Sequence, residues 1–241
     1  MFERKKYKKF AKTQLTGRWT VPVLITLVIG IITILFSIPE TNALLRSGYF
    51  EAIAAQDIDM LISAAEEIQK SSTTNFVTSI VQMIVSAILS VAALNVYITM
   101  SRSPEPVKFG KFIEGFNNWL RATLGILWEF LWIFLWTLLF VIPGIIKAYA
   151  YSQTLFIIAE YKNVSVTKAL NISKIITKGH KWDIFVMYLS FIGWDILCLF
   201  TLGIGNLWLT PYKTMTYTNA FHAMLKEAVE SGKIMPEDLS E

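Results

Sequence analysis

The sequence predicts an all-α, polytopic membrane protein: six transmembrane helices arranged as three hairpins, with amphipathic helices at the cytoplasmic interface. Three observations predict it. Charged residues are only 17% of the 241 residues, below the roughly 25% of a water-coated globular domain. The apolar residues, 54% of the chain, are gathered into blocks near the ~20 residues that a helix needs to cross hydrocarbon. Lysine and arginine collect between alternate blocks, the asymmetry that holds basic loops on the cytoplasmic side.

Residues 1–18, MFERKKYKKFAKTQLTGR, hold seven of the 22 basic residues. They read as a basic cytoplasmic tail drawn to anionic lipid rather than as a nucleic-acid-binding arm. The membrane domain follows over 19–225. Its first span is 19–38, which lacks a small-residue cleavage pattern and so reads as a span, not a signal peptide. An outer loop over 40–75 has six acids against Arg46 and Lys70. Apolar spacing at Leu44, Leu45, Tyr49 and Ile53 predicts some helix within it.

The second span is 76–100. Segment 101–121 carries Arg102, Lys108, Lys111 and Arg121, and its KFGKFIEGFNNWL string places Phe109, Phe112, Ile113, Phe116, Trp119 and Leu120 at helical spacing. Spans three and four, 122–142 and 145–160, are separated by Pro143–Gly144, a pair that ends a helix and permits reversal. Residues 160–181 hold five lysines and a less regular amphipathic pattern: Val166, Ala169, Leu170, Ser173 and Ile176. Spans five and six, 183–202 and 206–225, meet at GIGN, and 226–241 is a cytoplasmic tail. Both termini are expected on the cytoplasmic side of a plasma membrane.

Trp19, Trp119 and Trp182 each stand where a basic segment enters a span, the headgroup level that suits an amphipathic ring. The recurring order of basic segment, tryptophan and hairpin reads as a threefold repeat. Any membrane protein built from hairpins also alternates in this way.

Three charges well inside predicted spans stand out. Asp195 and Lys213 each lie nine residues from Ile204 in the turn, roughly 13 Å deep at helical rise. A lone charge at a span's centre costs about 2.5–3.5 kcal/mol, so a structural Asp195–Lys213 pair is expected to hold the last two helices in register. The alternative has Lys213 snorkelling alone and Asp195 facing a wet cavity. Glu129 has no basic residue at matching depth, which marks it as a candidate ligand-binding carboxylate or the partner of a polar group such as Gln82 or Ser86. Trp128, Trp132 and Trp136 form an i, i+4, i+8 stripe, either a wall on which a ligand stacks or lipid-facing bulk.

Other chemistry is missing. His180 and Asp183 share a helical face, but no further ligand has metal-site spacing; His222 sits near the final span's end, within reach of its dipole. There is no phosphate loop, nucleophile elbow or HExxH motif. Cys198 lies in an apolar block and reads as a packing residue. No catalytic residue, metal or cofactor is expected.

The strings IPGIIKAYAYS, GHKWDIF, LSFIGW and TLGIGNLWLTPY resemble the bacterial membrane family called domain of unknown function 975, over about 109–221. The resemblance implies a multispan inner-membrane protein and no established reaction. The AL-x-x-S-x-x-x-T-x-G pattern at 169–179 is also similar to the membrane domain of some glycerophosphodiester phosphodiesterases, whose catalytic barrel has no counterpart here.

Of the functions open to such a chain, the sequence favours a non-enzymatic module that binds membrane lipid or another amphiphile within the helix bundle. A scaffold or immunity-type protein meeting a peptide or membrane-protein partner through 40–75 is the alternative, followed by a small transporter. Nucleic acid is not an expected partner.

Overall fold

The computed structural model describes residues 2–70 and 72–240, with side chains outside 70–75. The described residues form thirteen α-helices: α1 (Arg4–Leu15), α2 (Thr20–Arg46), α3 (Tyr49–Ala55), α4 (Ile58–Lys70) and α5 (Ser72–Arg102) lead into α6 (Gly110–Gly115). There follow α7 (Trp119–Leu139), α8 (Val141–Tyr151), α9 (Thr154–Glu160), α10 (Val166–Ile176), α11 (Lys181–Leu189), α12 (Ile192–Phe200) and α13 (Asn206–Glu230). Short 3₁₀ turns cover Phe116–Asn118 and Pro236–Leu239, and no strand occurs among the described residues.

Among the described residues, five stretches are long and apolar enough to cross a membrane: Thr20–Arg46, Phe76–Arg102, Gly110–Leu139, Val141–Glu160 and Lys181–Phe200. The sixth expected span lies in α13, which has the length but not the uniform apolarity. Thr210, Lys213, Thr214, Thr216, Thr218 and Asn219 interrupt it.

The chain divides into two compact units, 28–86 and the remainder. In the smaller unit, α2 continues through Pro39 to Arg46, past the turn expected after residue 38. A proline removes one ladder hydrogen bond, and such a residue is tolerated in apolar helices where neighbouring groups take up the freed partners. The helix ends instead before Gly48, whose φ of +73° is open to a residue without Cβ. The Asp57 carboxylate then accepts from the Met60 amide at 3.0 Å and starts α4.

The larger unit is built around α9. Thr154, Phe156, Ile157, Ile158 and Ala159 are all buried, so this short helix is apolar on every side, as a core helix should be. Val91, Leu94 and Ile98 of α5, Ile172 and Ile176 of α10, and Phe221 and Met224 of α13 belong to the same core cluster. The α10 segment therefore differs from the expected helix lying on a surface. Its apolar face is buried against protein, and α7, α8, α9 and α13 all contact it. The segment read as a basic tail drawn to lipid contains helix α1, whose Tyr7, Ala11 and Leu15 are buried and which packs on α13.

Two predicted spans are broken helices. Residues 141–160 bend at Ser152–Gln153 because α10 supplies replacement partners: Ser173 Oγ donates to Ala150 O at 2.8 Å and accepts from the Gln153 amide at 3.1 Å. Thr177 Oγ1 also donates to Ala150 O, at 3.2 Å. A break in a helix at membrane depth is stable only when freed backbone groups are met in this way. Residues 181–200 break at Ser190–Phe191, where Lys8 Nζ donates to Ser190 O at 3.2 Å and stands 3.9 Å from the centre of the Phe191 ring.

The α7–α8 reversal is tighter than Pro143–Gly144 implied. Phe140 alone is extended, with φ −158° and ψ 140°, and Pro143 falls in the first turn of α8, where its missing N–H has no helical partner to lose. Both hairpin tips are apolar and bare. Leu138 and Ile142 are 71% exposed, Phe200 82% and Leu202 93%. Such a surface is an aggregation hazard in water and a suitable one in hydrocarbon.

Candidate functional site

Helical periodicity puts Trp128, Trp132 and Trp136 on one face of α7, and that face forms a wall of a cavity of about 400 Å³. The opposite side is supplied by Lys147 and Tyr151 of α8 and by Thr167, Asn171 and Lys174 of α10. The Trp128 and Trp132 rings meet edge to face with centres 6.2 Å apart, the geometry that aromatic quadrupoles favour. Lys147 Nζ stands 4.5 Å from the centre of the Trp136 ring, within the range of a cation–π contact. The cavity thus combines three indole faces with two ammonium groups, a surface suited to an anionic headgroup or to an amphiphile with a flat or apolar body.

Glu129 is not part of this lining. Adjacent helix positions differ by about 100° in direction, so the residue after Trp128 turns away from the groove. Its side chain is half-buried, makes no hydrogen bond or ion pair to the described residues, and lies within electrostatic reach of the Tyr151 and Tyr188 hydroxyls. The tryptophan stripe and the carboxylate are two separate features.

Lys213 Nζ lies 2.9 Å from Asp195 Oδ1 and 3.0 Å from Oδ2, joining α12 to α13. The break at residue 191 gives Asp195 a second source of support, since it falls in the first turn of α12, where the helix dipole favours a carboxylate. Of the three tryptophans expected at the interface, Trp119 and Trp182 are exposed. Trp19 lines a different cavity together with Trp194 and Trp208.

Several organising charges were not singled out in the sequence. The Glu160 side chain is only 2% exposed; it is ion-paired with Arg102, and its Oε2 lies 3.8 Å from His222 Nδ1. His222 Nε2 is 2.9 Å from Ser101 Oγ, so one polar chain ties α5, α9 and α13 together. Arg121 donates to Asn118 Oδ1 and to the carbonyls of Ile158, Tyr161 and Val164, closing the end of α9. Arg18 does the same for α5, through the carbonyls of Met100 and Ser103. Both arginines satisfy carbonyls that a helix terminus leaves open. Their sequence signal was position: each lies beside a tryptophan at a span boundary, where a count of positive charges registers the residue but not its partners.

His180 Nε2 stands 3.1 Å from Glu227 Oε1 and Nδ1 3.6 Å from Asp183 Oδ2. No group of three or more His, Cys, Asp or Glu residues is arranged to hold a metal among the described residues.

The family model described as "Protein of unknown function (DUF975)" matches residues 1–149 and 121–228. No curated protein matches the chain. No solved structure matches it.

Proposed function

The chain belongs to the DUF975 family of proteins of unknown function, and for it we propose the role of a non-enzymatic integral membrane protein that holds an anionic amphiphile. The site is the groove between α7, α8 and α10. One observation carries this reading: three indoles facing Lys147 and Lys174 across about 400 Å³, within the size range of small-molecule sites. The headgroup lies against the two ammonium groups and the apolar body against the tryptophans.

In this reading the chain crosses a bacterial plasma membrane six times with both termini cytoplasmic. The five apolar stretches support it, as do the basic clusters at 1–18, 101–121 and 160–181. Asp195 paired with Lys213 lowers the cost of taking α13 through hydrocarbon. A single introduced cysteine at Glu51 should react with an impermeant reagent from outside and one at Lys162 only from inside, both in a Cys198→Ala background. Reaction of both from one side would remove this topology.

The binding itself is tested by native mass spectrometry of protein extracted from membranes. The wild type should carry acidic lipid. Lys147→Glu with Lys174→Glu should lose it at least about tenfold, given about 1 kcal/mol per basic residue facing anionic lipid. Wild-type protein without bound lipid, or a double variant that keeps its lipid, would refute the proposal.

A second reading has its own support in the outer segment. Six acids stand against two bases over 40–75, and Ile58 and Ile62 of α4 are exposed. A cationic amphipathic peptide would match both. Loss of a cellular phenotype on deleting 47–70 with insertion unchanged supports that partner, and an unchanged phenotype removes it.

A further inference from the structure

A second cavity, of about 490 Å³, lies between the α12–α13 hairpin, the end of α1 and Trp19. Its walls are Trp194 and Leu197 of α12, Trp208 and Tyr212 of α13, and Trp19. Two segments distant in sequence, 12–19 and 194–212, thus converge on one slot, which separates it from a convex lipid-facing surface. Lys12, exposed and in the last turn of α1, is the only charged residue of the lining. Its ammonium makes no hydrogen bond or ion pair to the described residues.

An apolar slot with one unpaired cation at its edge is complementary to a ligand with one negative charge and a hydrocarbon chain. In a bilayer the abundant molecule of that description is an anionic phospholipid. Lys12, as the one cation of that lining, puts the charged end there. We infer that this slot is a lipid site independent of the Trp128 groove. It takes one acyl chain of an anionic glycerophospholipid along Trp194, Leu197 and Trp208, with the phosphate on Lys12.

The experiment uses the full chain in nanodiscs of phosphatidylcholine containing a little phosphatidylglycerol that carries a photoactivatable acyl chain, with labelled peptides mapped by mass spectrometry. Labelling over 194–212 should saturate, and unlabelled phosphatidylglycerol should compete far better than phosphatidylcholine. Lys12→Glu, a change at an exposed side chain, should lower that labelling about tenfold. Leu197→Trp, which fills the slot from an exposed position, should lower it too. Peptides bearing Trp128–Trp136 are read in the same map and should be unaffected by either variant, so failure at one site is distinguishable from failure at the other. Labelling that rises in proportion to probe without saturation, equal competition by phosphatidylcholine, or full labelling of Lys12→Glu would each overturn the inference.

Discussion

Lys213 Nζ lies about equally far from the two carboxylate oxygens of Asp195, at 2.9 and 3.0 Å, across two helices joined by a turn of five residues. Neither helix dictates that meeting. It needs the Ser190–Phe191 break to aim α12 and the Thr201–Gly205 turn to set the depth of α13. In that turn, Gly205 N donates to Thr201 Oγ1 at 2.9 Å and Gly203 N to Cys198 O at 2.9 Å.

Reversing one charge of this pair leaves two like charges in contact, and reversing both restores attraction. Asp195→Lys or Lys213→Asp should each cost about 3 kcal/mol or more, lowering Tm by several degrees. The double reversal should recover at least half of that loss, less the helix-dipole support at Asp195. Equal loss in all three variants, measured by thermal unfolding in one detergent, would count against the pair.

Glu129 and the tryptophan groove should separate by mutation. Glu129→Gln should leave co-purified acidic lipid unchanged, because its side chain is not in the lining. Trp132→Ala should reduce it severalfold, through loss of roughly 1 kcal/mol or more of aromatic contact. Lipid lost in Glu129→Gln with folding intact would show that the carboxylate reaches the ligand after all.

Ser173→Ala removes the acceptor of the buried Gln153 amide. Ala150 O keeps Thr177 Oγ1 as a donor, so one orphaned N–H sets the cost at about 1–3 kcal/mol. Ser173→Thr, which retains the hydroxyl, should cost less. Thermal unfolding of the two variants checks the order, and equal stabilities would deny the hydroxyl its role at the break.

Gly144→Ala should destabilise the α7–α8 hairpin. A Cβ there would lie 2.9 Å from Thr137 Cα, and backbone cannot move aside as a side-chain tip can. Overpacking of this kind costs typically about 1–3 kcal/mol. Gly30→Ala, at a glycine with open space, is the control and should be neutral or slightly stabilising.

The C-terminal turn should be sensitive to acid. The Met235 amide donates to Asp238 at 3.0 Å and Lys168 Nζ stands 3.3 Å away. Together they hold the Asp238 carboxyl below its ordinary value. A folded pKa lowered in this way gives stability that is complete above the unfolded-state value and is lost as pH falls through the folded one. Amide protection over 233–240, corrected for intrinsic exchange, should decline in that acid range, and Asp238→Asn should show the same loosening at neutral pH. Protection independent of both would remove the link.

Much of the architecture was legible in the chain because apolar length and basic clustering are one-dimensional properties. They gave the all-helical class and several helices long and apolar enough to cross a membrane. The three tryptophans at i, i+4, i+8 were likewise legible as one face, since helical pitch alone puts them there. The breaks at 152–153 and 190–191 were not, because their cause lies elsewhere: Ser173 and Thr177 reach one of them from α10, and Lys8 reaches the other from α1.

By itself, then, the sequence determined which segments are apolar helices and which side chains share a helix face, through periodicity and the cost of hydrocarbon for charge. Only the tertiary structure decided that the basic N-terminus is a packed helix, that Glu160 lies buried beside Arg102 and His222, and that Lys147 and Lys174 face the tryptophans while Glu129 does not. Those outcomes depend on which helices touch. Pairing of helices in apolar surroundings is set by close packing and by hydrogen bonds between distant residues, which no local pattern of residues records.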